Sequence, residues 1–382
     1  MDIKKKDLGI YIHIPFCVSK CIYCDFLSMP VNDEVKADYV RALCIEIESF
    51  AITHREEYEV ISIFFGGGTP STLKPFLMEQ IMECVKANFS MKPDCEITVE
   101  CNPGTVDLIK LTTYRNLGVN RLSFGLQSVN DAELKALGRI HTYKAFLESY
   151  ELALKAGFDN INVDLMSALP GQTVESWKKT LRAVTMLKTA HISAYSLIIE
   201  EGTPLSEMVS SGIVNNLPDE DAEREIYAVT EDVLGKAGYH RYEISNYARD
   251  GKECKHNKIY WQGGDYIGFG LGAASYIGRK RFSNIRELQE YIDNPLSDKE
   301  DVTILSEEDM MAEFMYLGLR MMEGVKPSEF KNRFGRHLTN VYGDVIDKYT
   351  KIGLIETGDN YVRLTSRGID VSNVIFGDFL ME

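Results

Sequence analysis

Three cysteines within eight residues, Cys17-x3-Cys21-x2-Cys24, follow directly on a short apolar run, Tyr11-Ile-His-Ile-Pro-Phe16. Three thiolates offered from one loop suit a soft metal centre, and iron–sulfur clusters take such ligands. A structural zinc site wants a fourth Cys or His at matching spacing nearby; the first 60 residues supply no clean candidate. A cluster with three protein ligands leaves one iron open to a small molecule. The alternative is three buried cysteines acting as small hydrophobes, which does not require this spacing.

Composition narrows the field. At 382 residues, one large domain plus a smaller one is expected. A hydrophobic share of 45% and a charged share of 26% are those of a soluble globular chain. The net charge of −15 argues against a phosphate-backbone binder, so nucleic acid is not an expected partner. Eight cysteines in this length are no secreted disulfide framework, and a thiolate cluster needs a reducing compartment. Met1-Asp-Ile-Lys-Lys-Lys is basic, but the apolar run after it is too short for a signal peptide and is interrupted by Cys17. No stretch approaches the ~18 apolar residues of a membrane span. A cytoplasmic location is expected.

Read in order, Leu8–Ile14 is β-branched and aromatic, a strand whose end delivers the cysteine loop. Asn32-Asp33 open a long amphipathic helix through about Phe50. Further strands are expected at 60–65, 96–100, 121–124, 160–165 and 191–197. Helices are expected at 75–88, 106–116, twice within 130–156, and at 173–187. Six strands alternating with helices imply an α/β fold with a parallel sheet, wound open or curled into a partial (β/α)6 barrel.

Polar or glycine-rich features recur where successive predicted strands end: the cysteine loop, Gly66-Gly67-Gly68, Glu100, Gln127 and Asp164. In barrel-type α/β folds that face carries the active site. Glu100 alone serves equally as a capping partner and Asp164 as a turn former; five features on one face are harder to dismiss. Glycines let the backbone approach a ligand, with successive N–H groups pointing inward.

With these residues in place, the chain resembles the coproporphyrinogen III oxidase-like branch of the radical S-adenosylmethionine (SAM) family over nearly its whole length. Tyr11-x-His13-x-Pro15-Phe16-Cys17 is similar to that branch's lead-in. The resemblance implies a [4Fe-4S] cluster on Cys17, Cys21 and Cys24. It implies SAM held by Gly67, Gly68 and Thr69, with Tyr11, Glu100, Gln127, Arg139 and Asp164 as further contacts. Glu100, Asp164 and Gln127 suit hydroxyl donors, and Arg139 suits a carboxylate.

Two departures set the subtype. Porphyrinogen-oxidising members resemble C-x3-C-x2-C-x-C, whereas Phe26 stands two residues past Cys24, and only sixteen residues precede Cys17. Both features resemble the heme-chaperone group of the branch. His256-Asn257-Lys-Ile-Tyr260-Trp261 resembles the H-N-x-x-Y-W motif that this group associates with heme. Imidazole ligates iron and aromatic rings stack on a macrocycle. His256 thus either ligates the heme iron or frames its pocket, with Cys254 as an alternative thiolate ligand. Cys44, Cys84, Cys95 and Cys101 read as structural.

Beyond about Glu201 the βα rhythm weakens. Residues 218–236 read as an acidic helix, Tyr239–Tyr247 as a strand, and Gly263 to Tyr276 as turns and short strands rather than a dinucleotide motif. After a polar linker, 294–301, three helices, a hairpin across Thr357–Asn360 and a last helix from Thr365 resemble a winged helix. Residues 301–382 carry fourteen Asp/Glu against nine Lys/Arg, the wrong sign for DNA.

The expected organisation is therefore a radical SAM partial barrel over 1–200, an extension bearing the heme motif over 201–293, and a small winged-helix-like domain over 302–382. The expected function is a heme chaperone delivering heme to apo-hemoproteins, membrane-bound respiratory enzymes among them. The alternative is an oxygen-independent coproporphyrinogen III dehydrogenase. Enzyme activity is left undecided and no catalytic residue is assigned. The sequence sets neither the recipient nor the oligomeric state, a homodimer being one option.

Overall fold

A computed structural model describes residues 5–380. The expected parallel sheet is built from β1 (Lys6–Ile14), β2 (Tyr58–Gly67), β3 (Met91–Cys101), β4 (Arg121–Gln127), β5 (Ile161–Ser167) and β6 (His191–Ser196), each paired parallel to the next. Helices cover its outer face: α1 (Asp33–His54), α2 (Pro75–Asn88), α3 (Leu108–Asn116), α4 (Asp131–Ala136), α5 (Tyr143–Lys155) and α6 (Val174–Met186). Such strands are covered on both faces and need near-continuous apolar character; β4 is buried at all seven positions.

Local chemistry sets the boundaries. Asn32, Asp107 and Thr142 cap α1, α3 and α5 by accepting a backbone N–H of the first turn, and Thr173 with Ser176 forms a capping box for α6. The first helix runs four residues past the expected Phe50, because Ala51 is buried and the His54 ring stacks on Phe50 at 4.1 Å.

The later chain extends this sheet at both edges. After α7 (Pro204–Ser210) and α8 (Glu220–Lys236) come β7 (His240–Glu243) and β8 (Asn246–Ala248), and β8 pairs antiparallel with β6. The segment read as one strand, 239–247, is thus a hairpin, turned where the Glu243 carboxylate accepts from Ser245 N at 2.9 Å. A short helix, α9 (Lys255–Trp261), leads to β9 (Tyr266–Phe269), which pairs parallel with β1. Strands β10 (Ala274–Ile277) and β11 (Lys280–Ser283), helix α10 (Leu288–Asp293) and strand β12 (Glu300–Ile304) follow. The resulting twelve-stranded order is β12-β11-β10-β9-β1-β2-β3-β4-β5-β6-β8-β7. The polar linker therefore ends in an edge strand.

One hydrophobic core runs from Leu8 to Tyr291, and a second holds residues 311–379. The second belongs to α11 (Glu307–Gly318), α12 (Pro327–Phe334), α13 (Leu338–Lys351), the hairpin β13 (Ile355–Gly358) and β14 (Tyr361–Leu364), then α14 (Ser366–Asp370) and α15 (Ser372–Gly377). The single last helix expected from Thr365 is broken at Val371, whose φ of −119° is not helical.

Glu46 on α1 ties the added edge to the barrel. It is 4% exposed and accepts from Gly270 N, Asn284 Nδ2, Tyr291 OH and Lys299 Nζ at 2.7–2.9 Å. Removing one partner of such a buried set leaves the others uncompensated, a loss of about 3–5 kcal/mol. Glu46→Ala is expected to lower unfolding free energy by about that amount, as read from urea denaturation.

Candidate functional site

The C-terminal ends of the strands open into one cavity of about 540 Å³. Cys17, Cys21, Cys24, Gly67, Gly68, Thr69, Glu100, Gln127, Arg139, Asp164 and Asn257 line it. Residues picked from seven separate stretches of sequence are thus neighbours in space. Tyr11, His256, Tyr260 and Trp261 do not line the cavity.

Backbone hydrogen bonds fix the cysteine loop. Met29 N donates to Pro15 O at 2.9 Å and Cys17 N to Met29 O at 3.1 Å, closing its base. Gly68 N donates to Ile14 O and Thr69 N to Phe16 O, laying the glycine turn against the loop. This closeness explains the glycines. A Cβ on Gly68 would stand 2.8 Å from Phe16 N, and one on Gly67, whose φ is +104°, 2.3 Å from the His13 ring. Thr69 Oγ1 lies 3.4 Å from Cys17 Sγ and accepts from Asn102 Nδ2 at 2.7 Å. Among the described residues no three His, Cys, Asp or Glu side chains converge as a single ion requires. A four-iron cluster takes its ligands at separate irons and does not ask for that convergence.

The far wall is acidic. Burial and the nearby Asp164 carboxylate push Glu100 up to about 8, against a hydrogen bond from Gly67 N–H. Asp164 is raised by burial, and hydrogen bonds from Asn162 and Ser123 oppose the shift, while Ser193 Oγ donates to Asn162 Oδ1 at 3.3 Å. Asn162 Nδ2 lies 2.7 Å from Asp164 Oδ1, and Ser123 Oγ 3.1 Å from Oδ2. Asn162 is set in turn by His191 Nδ1 at 2.6 Å, whose Nε2 meets Tyr242 OH at 2.9 Å. Arg139 supplies one of two cations in the lining, Lys20 being the other: Nη1 donates to Cys21 Sγ at 3.6 Å, and Nη2 to Asn102 Oδ1 at 3.1 Å and to Gly125 O. Gln127 sits at φ +69°, at a register break between β4 and β5, and accepts from Tyr195 OH at 3.0 Å. Strain of this kind gathers at functional sites.

The H-N-x-x-Y-W residues do not form one aromatic face. His256 is 1% exposed, with Nδ1 2.8 Å from Ser62 Oγ and Nε2 2.8 Å from Tyr260 OH. Burial lowers it to about 3, so the ring is neutral. Both ring nitrogens are thus engaged by side chains of the protein itself. Its ring stacks on Phe64 at 5.2 Å and lies 6.4 Å from Tyr11. Tyr11 in turn touches His13 Nδ1 through its hydroxyl at 3.0 Å, beneath the cavity and beside Glu100. Trp261 points to the seam with α11, where the Arg320 guanidinium covers its ring at 4.3 Å. Cys254 is fully buried against Glu96 at 3.5 Å and offers no thiolate to the cavity.

Sequence reading missed Asn102, Ser123, Gly125, Met166, Ser193 and Tyr195, all in the lining. Strand alternation finds them: Gln127 implicates Gly125 and Ser123, Asp164 implicates Met166, and Glu100 implicates Asn102. Ser193 and Tyr195 share a face of β6 but had no flagged neighbour to point from. Gly67→Ala is expected to displace the turn and weaken SAM binding at least tenfold by calorimetry, with far-ultraviolet circular dichroism unchanged. Cys21→Ser is expected to abolish iron and sulfide uptake on anaerobic reconstitution, as read by chemical analysis.

Comparison with known proteins identifies the family. Residues 11–184 match the radical SAM superfamily and residues 305–371 the HemN C-terminal domain. The chain is 37% identical to the heme chaperone HemW of Bacillus subtilis, across 97% of this chain and 99% of that protein. It is 34% identical to HemW of Lactococcus lactis, across 99% and 98%. The structure of coproporphyrinogen III oxidase (HemN) from Escherichia coli, a radical SAM enzyme, superposes with a TM-score of 0.86 over 99% of this chain and 91% of that one. At 23% identity this last likeness speaks for the fold. Radical SAM proteins use a [4Fe-4S] cluster and SAM, and three thiols beside a glycine turn and two carboxylates fit that pair. The chain therefore belongs to the radical SAM superfamily and, within it, to the HemW family.

Proposed function

We propose that this protein is a heme chaperone, which binds heme and delivers it to apo-hemoproteins, membrane-bound respiratory enzymes among them. The observation that carries the reading is the full-length match to proteins named heme chaperones, 37% identical across 99% of one of them. The cavity supports it by setting three thiols and two carboxylates at the ends of one parallel sheet.

Cys17, Cys21 and Cys24 would hold the cluster, which when bound supplies an open iron and an electron for a sulfonium ligand. Gly67, Gly68 and Thr69 expose a turn for the amino acid end of SAM, and Arg139 offers its carboxylate a partner. Glu100, Asp164 and Gln127 accept from ribose hydroxyls and balance positive charge, with Tyr11 buttressing Glu100 from below. Asn257 carries the heme motif into the cavity wall, while His256 and Tyr260 hold α9 in place and Trp261 joins it to the last domain. In this division of labour, 1–200 holds the cluster and SAM, 201–293 shapes the heme site, and 302–382 packs on α9. No helix among the described residues is long and apolar enough to cross a membrane, and we place the protein in a reducing cytoplasm.

The reading is tested by titrating hemin into the reconstituted protein, with a parallel assay for 5′-deoxyadenosine in the presence of coproporphyrinogen III. Stoichiometric heme uptake, passed on to an apo-hemoprotein, without porphyrinogen turnover is expected. Turnover would make it the dehydrogenase instead.

Two finer outcomes follow. His256→Ala is expected to weaken heme binding by opening a packing gap, while the absorption maximum of bound heme stays at the wild-type position. A shifted maximum would identify His256 as an iron ligand. Glu100 with a pKa of about 8 is largely protonated at pH 7. A cationic ligand favours its ionised form, so SAM binding at pH 7 is expected to release a proton. Above about pH 9 that release disappears, and Glu100→Gln removes it at every pH. Calorimetry in buffers of different ionisation enthalpy measures it.

A further inference from the structure

Four of the eight cysteines line the cavity, Cys17, Cys21, Cys24 and the buried Cys101, and Cys95 and Cys254 are buried outside it. Two remain, Cys44 on α1 and Cys84 on α2, both half-buried and outside the cavity lining. Forty residues apart in sequence, they meet where the two helices pack. The Cys84 thiol donates to the Cys44 carbonyl at 3.6 Å, and the Cys44 thiol to Gln80 O, one turn before Cys84, at 3.9 Å. Each sulfur is thus directed at the backbone that carries or flanks the other cysteine. Asn88 Nδ2 donates to Cys84 Sγ at 3.8 Å, and Glu48 Oε1 lies 4.0 Å from it.

We infer that Cys44 and Cys84 form a redox-active dithiol, a modification site at which a small-molecule disulfide of the glutathione type is reduced and an α1–α2 bridge is made. The chemistry balances without a further reactant. The Cys44 thiolate attacks one sulfur of the small disulfide, forming a mixed disulfide and expelling one thiolate. The Cys84 thiolate then attacks the Cys44 sulfur, forming the protein disulfide and expelling the second. Two protein thiols are oxidised, one small disulfide is reduced to two thiols, and the protons go to the departing thiolates.

The assignment of Cys44 as the attacking group has a physical basis. A hydrogen bond with the Cys84 thiol lowers its pKa and raises that of Cys84, and the thiolate is the nucleophile. Burial and the Glu48 charge oppose the effect on Cys44 without reversing it. The bridge joins the helices that follow β1 and β2, at residues outside the cavity lining, and cross-linking residues this far apart restricts the unfolded chain.

The test uses protein with its cluster reconstituted, equilibrated anaerobically with set ratios of oxidised to reduced glutathione. Free thiols are then alkylated and the unreduced digest analysed by mass spectrometry. A peptide pair joined through Cys44 and Cys84 is expected, lighter by two hydrogens than its free parts, together with a higher unfolding temperature. Cys84→Ser, a near-isosteric change, is expected to accumulate the glutathione adduct on Cys44, and Cys44→Ser to carry far less on Cys84. Alkylation of both residues at every ratio would overturn the proposal. So would a stable Cys44 adduct in the unsubstituted protein, because Cys84 would then be out of reach. None of these outcomes bears on heme or SAM binding.

Discussion

Placing several groups that become negative in one poorly solvated cavity is costly unless cations answer them, and this constraint organises the molecule. Cys17, Cys21, Cys24, Cys101, Glu100 and Asp164 share the cavity, with Arg139 and Lys20 as cations in its lining. The protein lowers the cost in two ways: Glu100 keeps its proton up to about pH 8, and two side chains, Asn162 and Ser123, donate to Asp164. A site left in that condition suits positively charged occupants, and iron with a sulfonium ligand meets the description.

Support for this wall reaches far from the cavity. Asp164 is held by Asn162, Asn162 by His191, and His191 by Tyr242 on the β7–β8 hairpin. Glu96, in the middle of β3, accepts from the Cys254 thiol and His256 N–H and so fixes the start of α9. The later chain therefore completes the edges of the sheet and locks the carboxylates and α9. This explains how a motif associated with a large ligand has its histidine in the core: the ring is a strut between Ser62 and Tyr260.

Much of this was legible in sequence because strand period and strand ends are local properties. Gly67, Glu100, Gln127 and Asp164 were placed on one face by counting residues. Alternation about those anchors would have added Ser123 and Met166. What was hidden was non-local. Nothing in Tyr266–Phe269 says that it pairs parallel with β1, and nothing near His256 names Ser62, 194 positions away, as its partner. The aromatic content of the H-N-x-x-Y-W stretch suggested a stacking surface, but the helical turn of α9 sends Asn257 to the cavity, His256 and Tyr260 into the core, and Trp261 to Arg320.

The central claim is that Cys17, Cys21 and Cys24 would hold a [4Fe-4S] cluster in the cavity that Glu100 and Asp164 also line. Electron paramagnetic resonance of the anaerobically reconstituted, reduced protein, recorded with and without SAM, addresses it directly. The account predicts a [4Fe-4S]⁺ signal that changes shape when SAM is added and does so far less in Gly67→Ala. A signal indifferent to SAM, or protein that takes up zinc in place of iron and sulfide, would contradict it.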